Sequence, residues 1–104
     1  MKKYNKLVRD NIPQIIEKSG KTSKTRVLSD EEYVEALNSK LREELDEYLQ
    51  SGEITELADM VEVALALAYA KGATQECFDA IRLGKAEKNG AFTQKLFLEW
   101  VDGD

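Results

Sequence analysis

Histidine is absent from the 104-residue chain. That removes Ser-His-Asp and Cys-His catalysis, and every zinc site built on imidazole. There is one cysteine, Cys77, too few for an internal disulfide or a thiolate metal cluster. One proline and six glycines do not supply the turns of a β-sandwich. No apolar run is long enough to span a bilayer. The longest, Leu57 to Ala70, is interrupted by Asp59 and Glu62. The opening segment MKKYNKLVRDNIPQII has a charge in every short apolar stretch, unlike the apolar centre of a secretory signal. A cytoplasmic protein without membrane association is expected.

What remains is a charged but foldable composition, 34% charged and 42% hydrophobic, with length for one domain spanning residues 1–104. The net charge of −5 is unevenly spread. Residues 1–28 carry eight Lys/Arg against Asp10 and Glu17, whereas residues 29–62 carry twelve acids against Lys40 and Arg42. An acidic balance of this kind argues against a nucleic-acid polymer as partner. It suits a dense acidic centre that holds cations, with basic groups elsewhere for an anion.

The local signals are helical. Asp10 or Asn11 can cap a short helix with Pro13 in its first turn and Gly20 behind it. Ser29-Asp30-Glu31-Glu32 reads as a capping box, opening a helix to about Gln50 that Ser51-Gly52 stops. A third helix is expected from roughly Glu53 to Ala70, ended by Lys71-Gly72, and a fourth, capped by Thr74, to about Asn89, closed by Gly90. The short turn makes the second and third helices an antiparallel hairpin. Residues 25–28 and 92–99 are expected to pair as a short two-stranded β element. The fold class is therefore an all-α helical hairpin or bundle, completed by oligomerisation.

The second helix places Val34, Leu37, Leu41, Leu45 and Tyr48 on one face. Glu44 falls within about 70° of that face's centre. Glu47 lies one turn on, on the same flank, while Asp46 points away. In the third helix, twelve of the fourteen residues LADMVEVALALAYA are apolar, and they run all the way round. Such a helix is expected to be buried on every side, which requires a second copy of so short a chain. Glu56, Asp59 and Glu62 interrupt it at i, i+3, i+6. Buried carboxylates cost several kcal/mol each unless paired or metal-bound. Facing helices would bring Glu44 and Glu47 to Glu56 and Asp59. Oxygen ligands alone favour a hard divalent ion, Mg²⁺ or Mn²⁺ as its substitute, and Mg²⁺ is usually completed by phosphates.

The pattern EExxE then ExxD, here Glu43-Glu44-Leu45-Asp46-Glu47 and Glu56-Leu57-Ala58-Asp59, resembles the all-α nucleoside triphosphate pyrophosphohydrolases. This is the superfamily of the MazG-like proteins and phosphoribosyl-ATP pyrophosphohydrolase. YNKLVRDNIPQII, RVLSDEEY, ELADMVEV and AEKNGAF–LFLE extend the likeness over nearly the whole chain. Eight residues separate Glu47 from Glu56, fewer than in many members, so the hairpin is tight. The resemblance implies Mg²⁺-dependent cleavage between the α- and β-phosphates of a nucleoside triphosphate, giving monophosphate and pyrophosphate, by a homodimer or homotetramer. It implies Glu44, Glu47, Glu56 and Asp59 as metal ligands, with Glu43, Glu44 and Glu47 the catalytic carboxylates. Glu43 and Glu62 would then sit behind the ligands or hold the attacking water.

Lys6, Arg9, Lys85 and Lys88 are candidates to meet the triphosphate, Arg by bidentate contact and Lys as a point charge. Tyr4, Phe92 and Trp100 either fill the core or stack on a base, with core filling preferred. Cys77 reads as a small buried apolar residue. Two other functions fit the same residues: a module that binds a nucleotide without turning it over, and an acidic helical dimer that binds a protein partner.

Overall fold

The structure is a computed structural model that describes residues 1–103. It consists of four helices: α1 (Ile12–Lys18), α2 (Asp30–Ser51), α3 (Ile54–Ala70) and α4 (Gln75–Asn89). There is no strand among the described residues, so the fold is all-α. None of these helices is long and apolar enough to cross a membrane.

The helix boundaries follow from their caps. The Ser29 hydroxyl accepts from the Glu32 N–H at 3.2 Å, and the Ser29 N–H donates to Glu32 Oε1 at 3.1 Å, so both halves of the capping box form. Arg26 adds a contact to Glu32 Oε2 at 3.1 Å. The chain leaves α2 through Gly52 at φ +67°, a left-handed conformation natural to glycine. Its N–H is bonded to the Tyr48 carbonyl at 2.7 Å. Thr74 caps α4 by accepting from the Cys77 N–H at 3.2 Å. At α1, Asn11 occupies the cap position without a side-chain bond.

With so short a turn, α2 and α3 pack along each other as the hairpin; α4 packs on α3 alone, and α1 touches no other helix. The core is correspondingly small. Leu37 of α2 and Val63 of α3, at 3% and 9% exposure, are its only buried apolar residues among those described.

Two expectations are overturned. The β element of 25–28 and 92–99 does not form. Residues 92–101 are exposed throughout, and a turn closed by the Lys95 N–H on the Phe92 carbonyl breaks the segment, with Lys95 at φ +60°. Two isolated strands without a face to pack on are marginal in any case. Tyr4, Phe92 and Trp100 do not fill a core, and Cys77 is exposed. In the single chain Ile54, Leu57 and Val61 of α3 are open, on a helix whose full burial is expected to need a second copy.

The single chain is extended as a whole. Its Cα radius of gyration is 18.4 Å, against about 13 Å for a compact chain of this length. It exposes 9740 Å², whereas a compact monomer of this mass exposes roughly 5,900 Å².

Candidate metal centre

The centre lies on the hairpin, where mid-α2 faces the first turns of α3. Glu44 is 6% exposed, because its helical phase sets it beside the apolar stripe that meets α3. Glu56 and Asp59, half-buried, come from the facing helix. One carboxylate oxygen from each of Glu44, Glu56 and Asp59 lies within 4.8 Å of the other two. Oxygens around an octahedral Mg²⁺, bound at about 2.1 Å, stand roughly 3 to 4.2 Å apart, so small side-chain movements bring these three to ligand spacing.

The charge around them is only partly neutralised. Lys40 sits on the same flank of α2, 3.5 Å from Glu44 Oε1 and 3.7 Å from Glu43 Oε2, the helical i+4 and i+3 neighbours. Glu44 Oε2 is buried and has no hydrogen-bond partner among the described residues. A bare buried carboxylate oxygen is costly. Burial pushes the Glu44 carboxyl above its ordinary range, and Glu47 and Asp59 push the same way against Lys40. The group therefore calls for a proton or a cation. A hard divalent ion fits this donor set: three carboxylates from two helices, one of them with an unpartnered oxygen, and no nitrogen or sulfur ligand.

The remaining candidates are placed as follows. Glu47 is exposed and lies outside the three-oxygen group, though close enough to act on Glu44. Glu43 is held between Lys6, at 3.2 Å, and Lys40. Burial alone would raise its carboxyl, but the two lysines outweigh it and hold the group below its usual value. Glu62 is exposed, with Arg9 at 3.8 Å. Arg9 donates to Asp59 Oδ1 at 2.7 Å. The structure thus brings Lys6 and Arg9 onto the acids themselves. Lys85 and Lys88 are exposed on α4 and form no ion pair among the described residues.

Of the six carboxylates, Glu43, Glu44, Asp59 and Glu62 pair with three cations (Lys6, Arg9, Lys40), while Glu47 and Glu56 pair with none among the described residues. Counting bases only within residues 29–62 misses two of the three, because they arrive from the N-terminal segment. The role of Lys40 as a bridge between Glu43 and Glu44 is readable from its i+3 and i+4 spacing.

The sequence matches no protein-family model, and no solved structure matches it. A stretch of 41 residues, 39% of the chain, is 56% identical to an uncharacterized protein of Mycolicibacterium smegmatis (strain ATCC 700084 / mc(2)155). The match takes in 42% of that protein, so the chain spans less than half of its length.

Proposed function

We propose that the protein is a Mg²⁺-dependent nucleoside triphosphate pyrophosphohydrolase of MazG-like type. It acts on a soluble nucleotide in the cytoplasm as a homodimer or homotetramer. The observation that carries this reading is Glu44: a buried carboxylate with one unpartnered oxygen, beside Glu56 and Asp59 from the facing helix. Glu44, Glu56 and Asp59 would hold the ion, with Glu47 at the open side of the group. When bound, Mg²⁺ (or Mn²⁺) neutralises charge on the phosphates. Arg9 and Lys6, on the rim, supply N–H donors to the phosphate oxygens. Glu43 is kept ionised by two lysines, so it accepts a hydrogen bond from the attacking water and orients it rather than taking its proton. Glu47 forms no ion pair among the described residues and is open to solvent; it accepts that proton.

The test is to incubate the protein with each nucleoside triphosphate and Mg²⁺ and to measure pyrophosphate and nucleoside monophosphate. Equimolar release of the two, abolished by Glu44→Gln, is expected. Release of inorganic phosphate, or none, would refute the reading.

The ion pairs of Lys6, Arg9 and Lys40 favour one second reading, in which the acids form a structural polar network. That reading predicts no rise in melting temperature with Mg²⁺, whereas an ion that binds only the folded state must raise it.

A further inference from the structure

The first eleven residues form no regular element, yet two of their side chains reach far along the sequence to the metal centre. Lys6 reaches Glu43 of α2, and Arg9 reaches Asp59 and Glu62 of α3. Among the described residues, no other hydrogen bond or ion pair ties this segment to the hairpin. Both contacts are substantially exposed, with side-chain exposure of 56% for Arg9 and 39% for Asp59. Ion pairs of this kind are weak and exchange readily.

Asp59 is one of the three carboxylates within 4.8 Å of one another, so the guanidinium holds a residue that a divalent ion would need. A divalent ion on the same small carboxylate repels the guanidinium and weakens its hold on Asp59. A guanidinium released there has five N–H donors in a planar fork beside the ion, a geometry matched to phosphate oxygens. Building on the divalent-ion reading above, we infer that Arg9 is an exchangeable counter-cation of the centre. It holds Asp59 until a divalent ion arrives, then passes to the phosphate oxygens of the anion that follows. The order of binding is thereby set as ion first, phosphate second. Lys6 carries the same charge in the same segment, but its partner Glu43 lies outside the group of three oxygens, so it serves as the internal control.

The experiment is calorimetric titration of the full chain with Mn²⁺ alone, then with inorganic triphosphate in the presence of Mn²⁺. Wild type is compared with Arg9→Gln, Arg9→Lys and Lys6→Gln, after circular dichroism shows equal helix content. Arg9→Gln should bind Mn²⁺ about 3- to 5-fold more tightly, the scale of one exposed ion pair. It should bind triphosphate about tenfold more weakly, the scale of a charge-assisted hydrogen bond. Arg9→Lys should return Mn²⁺ affinity towards wild type, and Lys6→Gln should tighten it less than Arg9→Gln does. Opposite signs for the two ligands are the signature of exchange. Unchanged or weaker Mn²⁺ binding in Arg9→Gln overturns the inference, as does equal tightening by Lys6→Gln or unchanged triphosphate binding. Failure of the wild type to bind Mn²⁺ at all is a separate result, seen before any variant is compared, and it removes the divalent-ion reading together with this inference.

Discussion

Glu44 is where sequence, burial and chemistry meet in one side chain. Its carboxyl is raised by burial first, then by Glu47 and Asp59, with Lys40 opposing. A raised carboxyl means that, in the window from its unfolded value up to its folded value, the folded chain binds the proton more readily. Stability from this group therefore falls as pH rises through that window, and at neutral pH an ion-free Glu44 is a full liability. Replacing it with Gln should raise the stability of the metal-free protein at pH 7 by about 1–2 kcal/mol. Thermal melts in a chelator should show the advantage shrinking as pH falls through the raised value and vanishing below the ordinary 4.5, where both states of the wild type are protonated. Adding Mg²⁺ should raise the wild-type melting temperature and leave Glu44→Gln nearly unmoved. Glu32 behaves in the opposite sense. Hydrogen bonds from Arg26 and Ser29 hold its carboxyl down to about 2, so its contribution is present above its ordinary value and is lost as pH falls through about 2.

At the scale of elements, α2 depends on its first turn as much as on its apolar stripe. Ser29→Ala removes the acceptor for the Glu32 N–H and should cost about 1 kcal/mol, read as a lower denaturation midpoint at unchanged slope. This cap was legible because its signal is local: Ser and Glu three apart before an apolar run. The same holds for Gly52, for Thr74 and for all four helices, whose limits shift by a residue at most from those the sequence indicates. Glu44, Glu56 and Asp59 converge because helical phase and a two-residue turn between α2 and α3 leave little freedom. What depended on distant partners was not legible. The alternation in LFLEWV reads as a strand, yet a strand needs a neighbour, and none lies alongside residues 96–101. Tyr4, Trp100 and Cys77 read as buried because apolar residues usually are, but one chain has no core to receive them. Nothing in the spacing of Lys6 and Arg9 told that an irregular segment would lay them on Glu43 and Asp59.

At the scale of the molecule, the two buried apolar side chains Leu37 and Val63 cannot offset the conformational entropy of a hundred residues. The apolar surface that would do so is present but open. Ile54, Leu57, Ala58 and Val61 of α3 are exposed and recur at i, i+3, i+4, i+7, the period of a packing stripe. That stripe lies roughly 150° around the helix from Glu56, Asp59 and Glu62, so a second copy can cover it while the acids stay accessible from the other side. The area agrees. The chain exposes roughly 3,800 Å² beyond a compact monomer, more than the roughly 1,000–2,500 Å² that each partner of an obligate pair buries. Sedimentation equilibrium at low micromolar concentration should therefore give a dimer or a larger closed assembly, and the melting temperature should rise with protein concentration. Val61→Lys puts a charge in the middle of the stripe and should both dissociate the assembly and reduce helix content. Gln50→Lys adds the same charge at an exposed position of α2 and should do neither. A monomer that melts cooperatively at a concentration-independent temperature would mean that the open stripe is not an interface, and that so small a core suffices alone.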